Sequence, residues 1–226
     1  ALQCCVDAID NFLSSSSRGV KFPCLVGRPG SGKTHILKLA AAYAISKGLN
    51  VEVMSLTSER ARTLGGSHLH LVFPFGVSRT GTSFSHNLAA TCLLNFDKDQ
   101  LKASLVKRTD VFVFEEIGLL SAEMFSAVDN VLRLLTGNTR PMGGKLLLVC
   151  GDSKQLPPIE GRPIWGSLNM CTMMEVFVFS CDVRARDDSV LQSLNSDCRR
   201  ELSTDECKRV ADTVLRECRF VNDWSA

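Results

Sequence analysis

The chain lacks the features of several common protein classes. Its 226 residues carry a net charge of only +2, so no overall basic field points to nucleic acid, and any such binding must use a local cleft. No apolar run approaches the roughly 18 residues of a membrane span, so we expect no membrane partner. The ten cysteines include no C-x-x-C pair, and the four histidines form no ligand set with them, which argues against a zinc site or a disulfide framework.

Several cysteines lie in apolar stretches, such as Cys24 and Cys150, where a thiol behaves as a small hydrophobic group. Reduced thiols favour an intracellular protein. The first residue is alanine and no signal peptide is visible, so we expect the start to be cut from a longer chain. Hydrophobic residues make up 45% of the chain, which is enough for the core of one large domain.

One run of eight residues carries a specific motif. Gly27-Arg28-Pro29-Gly30-Ser31-Gly32-Lys33-Thr34 fits G-x-x-x-x-G-K-[ST], the phosphate-binding loop of P-loop NTPases. The residues at 22–26 predict a strand entering the loop, and those at 35–45 predict a helix leaving it. Such a unit aims backbone N–H groups and a helix N-terminus at one polyanion. The alternative, a glycine-rich turn that contains Lys-Thr by chance, leaves the flanking strand and helix unexplained.

The residue types of this loop suit a nucleoside triphosphate bound with Mg²⁺. Gly30 and Gly32 keep side chains away from the phosphates, Lys33 can reach the β- and γ-phosphates, and the Thr34 hydroxyl can bind the metal. The residues predicted to bind the nucleotide in this loop are Gly27, Gly30, Ser31, Gly32, Lys33 and Thr34.

Apolar runs alternate with helical patterns along the rest of the chain. Strands are predicted at 22–26, 51–56, 111–114, 145–150 and 176–179, helices at 3–13, 35–45, 58–64, 97–107, 121–135 and over most of 187–219, and loops at 14–18 and 76–87. This order predicts an α/β fold with a parallel sheet and helices on both faces. Ligands of such sheets bind at the carboxyl ends of the strands.

Polar groups follow two of these strands. Glu115 and Glu116 come directly after 111–114. A P-loop NTPase needs a carboxylate at a strand end for Mg²⁺ and often a second one to orient the attacking water, so we assign Glu115 to the metal and Glu116 to the general base. The alternative is a carboxylate pair that caps a helix N-terminus. Gln155 follows the strand at 145–150 and is a candidate sensor of the γ-phosphate or the attacking water.

The motifs resemble one family, the PIF/RecD-like group of superfamily 1B 5′-to-3′ DNA helicases. Residues 144–158 look like Gly-Gly-x-x-Leu-Ile-x-Cys-Gly-Asp-x-x-Gln-Leu-Pro-Pro, and Glu115-Glu116-Ile117 is similar to Asp-Glu-Ile. Residues 179–187 resemble Leu-Thr-x-Asn-Phe-Arg-Gln-x-Asp. Residues 57–70 resemble Thr-Gly-x-Ala-Ala…Ile-Gly-Gly-x-Thr-Leu-His, with Thr57 and Ala61 in matching places.

The resemblance implies a first RecA-like motor domain over residues 1–186. Residues 187–226 would be a helical extension leading toward a second motor domain. The implied activity is an ATP-dependent DNA helicase that couples hydrolysis to 5′-to-3′ translocation on single-stranded DNA and to duplex unwinding. The implied partners are single-stranded DNA or DNA with a 5′ overhang, and a second RecA-like domain of the same polypeptide. Family analogy points to DNA repair, recombination or telomere maintenance in the nucleus, with a mitochondrial, viral or transposon origin as open alternatives.

The resemblance also assigns roles to single residues. Gln3 falls where the family reads adenine, and Arg184 falls where an arginine reaches the γ-phosphate. The predicted DNA contacts are Thr57, Gly66 and His70. Phe73 or Phe75 would stack on bases, or else belong to the core.

The chain departs from the family pattern at several positions. Glu115 replaces the metal-binding aspartate, Ser58 replaces a glycine, and Glu59-Arg60 add charge near the expected DNA path. No second motor domain follows, so we expect the 226-residue chain to bind ATP–Mg²⁺ weakly, hydrolyse it slowly and not unwind DNA alone. The rival hypotheses are a degenerate or mobile-element helicase fragment that only binds nucleotide or DNA, a P-loop kinase, and a zinc pair formed by His68 and His70.

Overall fold

A computed structural model describes residues 1–14, 21–76, 85–179, 183, 189–197 and 200–217 of the chain. Within these ranges no helix is both long enough and apolar enough to cross a membrane. Residues 15–18 of the predicted loop at 14–18 and most of the predicted loop at 76–87 lie outside the described residues.

The strands of the described residues form one parallel sheet. They are β1 (Phe22–Gly27), β2 (Val51–Ser55), β3 (Ser67–His68), β4 (Val111–Glu115), β5 (Leu146–Gly151) and β6 (Met174–Phe179). Their order across the sheet is β3-β2-β4-β5-β1-β6, and all neighbouring pairs run parallel. The predicted α/β fold with a parallel sheet is confirmed, and the two-residue strand β3 is an addition to the predicted set.

The helices of the described residues connect these strands. They are α1 (Leu2–Leu13), α2 (Lys33–Ser46), α3 (Ser58–Leu64), α4 (Leu69–Val72), α5 (Ser85–Lys98), α6 (Gln100–Arg108), α7 (Ala122–Thr136), α8 (Leu168–Met173), α9 (Ser189–Asp197) and α10 (Thr204–Glu217). Short 3-10 turns at Ile117–Leu119, Pro141–Gly144 and Ile164–Gly166 complete the described structure.

Helices cover the central strands on both faces. Every residue of β4 and β5 is buried, as expected for strands between two helical layers. On one face, the ring of Phe112 packs toward Phe73 and, beyond it, Phe96 of α5. On the other face, Val113 lines a cavity together with Leu37 of α2. The predicted cover on both faces is therefore confirmed.

The predicted helix at 97–107 and the predicted loop at 76–87 were wrong in detail. The helix expected at 97–107 is two helices, α5 and α6, separated at Asp99, whose side chain accepts a hydrogen bond from Lys102 N at 3.0 Å and so caps α6. Because α5 begins at Ser85, residues 85–87 are helical rather than part of a loop. In α2, Leu39 is exposed, whereas the buried residues are Leu37, Ala40, Ala41 and Ala44.

The strand order determines where polar groups meet. The carboxyl ends of parallel strands lie at one edge of a sheet, and β5 alone separates β1 from β4. The P-loop after β1 and the carboxylates at the end of β4 are therefore brought to the same edge. The end of β2 lies next to them, because Ser55 pairs with Glu115 in the register of β2 and β4.

Candidate nucleotide-binding site

The loop between β1 and α2 owes its shape to its glycines. Gly30 and Gly32 have φ values of 80° and 87°, a left-handed conformation that favours glycine. A Cβ built on Gly32 meets no described atom within 4 Å, whereas one on Gly27 would lie 2.7 Å from Phe179 Cβ. Gly27 is thus required by the close approach of β6, and Gly32 by the turn that opens α2.

The loop is closed by hydrogen bonds of its own side chains. Lys33 Nζ donates to Gly27 O at 2.8 Å and to Arg28 O at 2.7 Å. Ser31 is buried, and its Oγ donates to Arg28 O at 2.8 Å. The lysine ammonium therefore lies over the concave side of the loop, where it can reach phosphate oxygens, while the Ser31 hydroxyl holds the loop together.

The Thr34 hydroxyl and the Glu115 carboxylate meet although 81 residues separate them. Thr34 Oγ1 donates to Glu115 Oε1 at 2.8 Å. Glu115 is 4% exposed, and its Oε2 is buried without a hydrogen-bond partner among the described residues. A buried, unsatisfied carboxylate oxygen is unfavourable. Hydroxyl and carboxylate oxygens are the ligands that Mg²⁺ prefers, so these residues fit the predicted metal site.

Glu116 has an unusual backbone and an ion-pair partner. Its φ of 58° and ψ of 49° are left-handed, which costs a residue with a Cβ about 1–2 kcal/mol. Its Oε1 lies 3.3 Å from Arg60 Nε of α3. Burial and the neighbouring Glu115 carboxylate raise the pKa of Glu116, while Arg60 and Lys33 oppose that rise.

Of the three other predicted nucleotide contacts, two are exposed and the third lies outside the described residues. Gln155 is exposed in the turn after β5, where Asp152 Oδ1 accepts a hydrogen bond from Lys154 N at 3.0 Å. Gln3 is exposed on α1, and its amide donates to Asp7 Oδ1 at 2.8 Å. Arg184 lies outside the described residues.

The segment predicted to contact DNA follows β2. Thr57 occupies the position just before α3 but makes no capping hydrogen bond, and its Oγ1 is buried without a partner among the described residues. A Cβ on Gly66 would lie 2.3 Å from Val53 O, so packing against β2 requires glycine there. His70 is exposed and its ring stacks on His68 with centroids 5.4 Å apart; His68 Nε2 lies 2.7 Å from Leu56 O. The DNA contacts of these residues stay predictions.

Phe73 and Phe75 belong to the core. Phe73 is 0% exposed and Phe75 6% exposed. Their rings stack on each other with centroids 6.0 Å apart, and Phe73 also contacts Phe112 of β4 at 5.8 Å. Of the two interpretations given to these aromatics, base stacking was wrong and core packing is confirmed.

Sequence reasoning missed the contact between Arg60 and Glu116. The charge at 59–60 was noticed, yet its partner was not assigned. The signal was the pairing of β2 with β4, which places α3 beside the end of β4. That pairing depends on the strand order, which periodicity along the chain does not reveal.

A glycine loop at the end of β1, opposed by a carboxylate at the end of β4 of a parallel sheet, defines a P-loop NTPase of the RecA-like type. A model of the family described as PIF1-like helicase matches residues 5–174. The chain therefore belongs to the PIF1-like helicase family.

Relatives with curated sequences carry the same family name. The ATP-dependent DNA helicase Pif1 of Psychrobacter is 29% identical over 138 residues, covering 61% of this chain and 20% of the relative. The ATP-dependent DNA helicase RRM3 of Saccharomyces cerevisiae is 25% identical over 197 residues, covering 81% of this chain and 26% of the relative. The chain thus matches about a fifth to a quarter of the length of these relatives.

Solved structures support the same fold. Pif1 helicase of Candida albicans has a TM-score of 0.71 at 22% identity, over 90% of this chain and 46% of that one. A Bacteroides Pif1 helicase in complex with ADP-AlF3 and single-stranded DNA has a TM-score of 0.67 at 20% identity, over 96% of this chain and 51% of that one. At this identity the likeness concerns the fold.

Proposed function

We propose that the chain is the first motor domain of an ATP-dependent DNA helicase that couples hydrolysis to 5′-to-3′ translocation on single-stranded DNA and to unwinding. The observation that carries this proposal is the hydrogen bond between Thr34 and Glu115. It joins the P-loop to the end of β4 and leaves one carboxylate oxygen without a partner among the described residues. Both features suit a nucleotide–metal site.

The residues of the loop bind and orient the triphosphate. Lys33 exchanges its bonds to Gly27 O and Arg28 O for phosphate oxygens and stabilises the charge that develops on the transferred phosphoryl group. Glu116 accepts the proton of the attacking water. Gln155 responds to the γ-phosphate, and Arg184 adds positive charge at the rim; both roles rest on the family resemblance, as does adenine recognition by Gln3.

Thr34 and Glu115 would hold Mg²⁺. The bound ion would neutralise charge on the β- and γ-phosphates. The chain's own contribution is a pair of hard oxygen ligands, one in the first turn of α2 and one at the end of β4, with Glu115 shielded from solvent. That shielding strengthens the electrostatic interaction between the carboxylate and a cation.

We propose single-stranded DNA, or DNA with a 5′ overhang, as the nucleic-acid partner. It would cross the sheet edge near α3 and α4, with Thr57, Gly66 and His70 as contacts. In this scheme residues 1–186 are the motor domain and 187–226 lead toward a second RecA-like domain of the same polypeptide. DNA repair, recombination or telomere maintenance inside the cell, in the nucleus, is the proposed setting, with a mitochondrial, viral or transposon origin as alternatives.

The test is ATP hydrolysis by the 226-residue chain with and without single-stranded oligonucleotide. We expect slow hydrolysis that rises with DNA, no strand separation, and a loss of about 100-fold or more in Lys33→Ala, because that variant lacks the ammonium that stabilises phosphoryl charge. Leu39→Ala, on the exposed side of α2, is the matched control and should behave as wild type. Hydrolysis that DNA leaves unchanged would favour a kinase, and nucleotide binding without hydrolysis would favour the degenerate module.

A further inference from the structure

The ion pair between Arg60 and Glu116 joins two parts of the molecule that the proposed function assigns to different ligands. Arg60 lies on α3, beside the proposed DNA path, and Glu116 is the proposed general base. Resting on that function, we propose that Arg60 restrains the Glu116 carboxylate until a DNA phosphate takes the guanidinium. DNA binding would then release the base, and hydrolysis would accelerate.

The strand order makes this contact possible. Ser55 at the end of β2 pairs with Glu115 at the end of β4, and α3 begins at Ser58. Arg60 lies in the first turn of α3 and so faces the residue that follows β4. The distance from Arg60 Nε to Glu116 Oε1 is 3.3 Å.

The backbone at Glu116 limits where its carboxylate can go. The residue is left-handed between β4 and the 3-10 turn at Ile117–Leu119, and both flanking elements are packed in the core. Movement of the carboxylate must therefore come from its own side-chain torsions. The guanidinium of Arg60 attracts the Glu116 carboxylate and so favours one of its few side-chain conformations. Arg60 is therefore a positioning residue.

The ion pair between Arg60 and Glu116 is weak enough for a DNA phosphate to replace Glu116. The Arg60 side chain is 46% exposed and that of Glu116 is 19% exposed, and ion pairs with this degree of exposure contribute little to stability. The contact with the Glu116 carboxylate is made by one guanidinium nitrogen of Arg60, Nε. An incoming phosphate accepts two parallel hydrogen bonds from a guanidinium, so a DNA phosphate competes well for Arg60.

The charges around Glu116 favour the exchange. Its neighbours are the Glu115 carboxylate, which repels it, and Arg60 and Lys33, which attract it. In the proposed site Lys33 turns to the phosphates, so Arg60 becomes the main cation that holds Glu116 aside. The family pattern Thr-Gly-x-Ala-Ala has alanine where this chain has Arg60, so the contact is a feature of this chain.

The test compares Arg60→Ala with Arg62→Ala in the ATPase assay. Arg62 lies on the same helix, and among the described residues it makes no ion pair. We expect Arg60→Ala to raise the DNA-free kcat by up to about fivefold, the factor that a weak exposed pair represents. The KM for ATP should not change, and the ratio of DNA-stimulated to DNA-free kcat should fall by the same factor. Arg60→Lys should restore most of the restraint, and Arg62→Ala should match wild type.

A DNA-free kcat that is unchanged or lower in Arg60→Ala, with the stimulation ratio kept, would overturn the proposal. Binding of a fluorescent ADP reports whether each variant is folded. Failure of the proposed function has a different signature, since wild type itself would then show no stimulation by DNA. In that case a rise of the DNA-free kcat in Arg60→Ala would still support the restraint, and no rise would reject it.

Discussion

Gly32, in the P-loop after β1, and Gly66, in the segment after β2, are required for different physical reasons. In the P-loop, Gly32 is left-handed and a Cβ there would meet no described atom within 4 Å. After β2, Gly66 has an ordinary φ, yet a Cβ would lie 2.3 Å from Val53 O. The first glycine serves a turn that faces a ligand, and the second serves packing against a strand.

The same contrast holds for the side chains of the two segments. Lys33, Thr34 and Glu115 contact one another or the loop backbone and form one cluster of polar groups. In the segment after β2, the aromatic residues face inward and the exposed groups include Arg60 and His70. The nucleotide end is thus held by contacts among its own residues, whereas the proposed DNA side includes exposed residues.

The largest effect of a substitution is expected at Phe73, in the segment that follows β2. Phe73→Ala should lower the free energy of unfolding by about 3–5 kcal/mol, because it removes a fully buried ring that contacts three other aromatic residues. Urea denaturation measures this change. Leu71→Ala is the matched control, since Leu71 is 65% exposed and should cost no more than about 0.5 kcal/mol. Equal stability of the two variants would contradict the core position of Phe73.

An intermediate effect is expected at Gly66. Gly66→Ala should cost about 1–3 kcal/mol of stability, because α3 and β3 must move away from β2 to admit the new Cβ. Thermal unfolding shows this as a lower Tm. The control is Gly166→Ala, where no described atom lies within 4 Å of the new Cβ and little change is expected. A Gly66→Ala variant with wild-type Tm and weakened DNA binding would indicate instead that Gly66 contacts DNA directly.

The smallest effect is expected at the nucleotide end. Glu115→Asp withdraws the carboxylate from Thr34 Oγ1 by one methylene, which leaves space for the near-octahedral geometry of Mg²⁺. We expect the ATPase rate of the complete protein to rise by about two- to threefold, with a lower apparent KM for Mg²⁺. Glu115→Gln keeps the size and removes the charge, so it should lower the rate. A rate in Glu115→Asp at or below wild type would show that the longer side chain is well placed.

The local sequence pattern was sufficient to predict most of the fold and the nucleotide end of the site. The longer strands and the P-loop were predictable because each is determined by neighbours in sequence: apolar runs for β4 and β5, and a fixed motif for residues 27–34. The inner face of α2 was not, because three of its four buried residues are alanines, which leave little periodic contrast.

Contacts between distant elements needed the structure. The burial of Phe73 depends on Phe112, which is far along the chain, and the pair of Arg60 with Glu116 depends on the pairing of β2 with β4. A charged residue on a short helix does not reveal which residue of another element it pairs with. The resemblance to a family pattern supplied no help at Arg60, because the pattern has alanine there.

The position of β5 between β1 and β4 has a consequence for synthesis of the protein. The P-loop leaves the ribosome before its carboxylate partner at 115, and the strand that sets their spacing follows last, ending at residue 151. A nascent chain that stops before this strand contains Thr34 and Glu115 without the strand that aligns them. Because domains generally fold as units during synthesis, we expect the contact between Thr34 and Glu115 to form only after β5 has emerged.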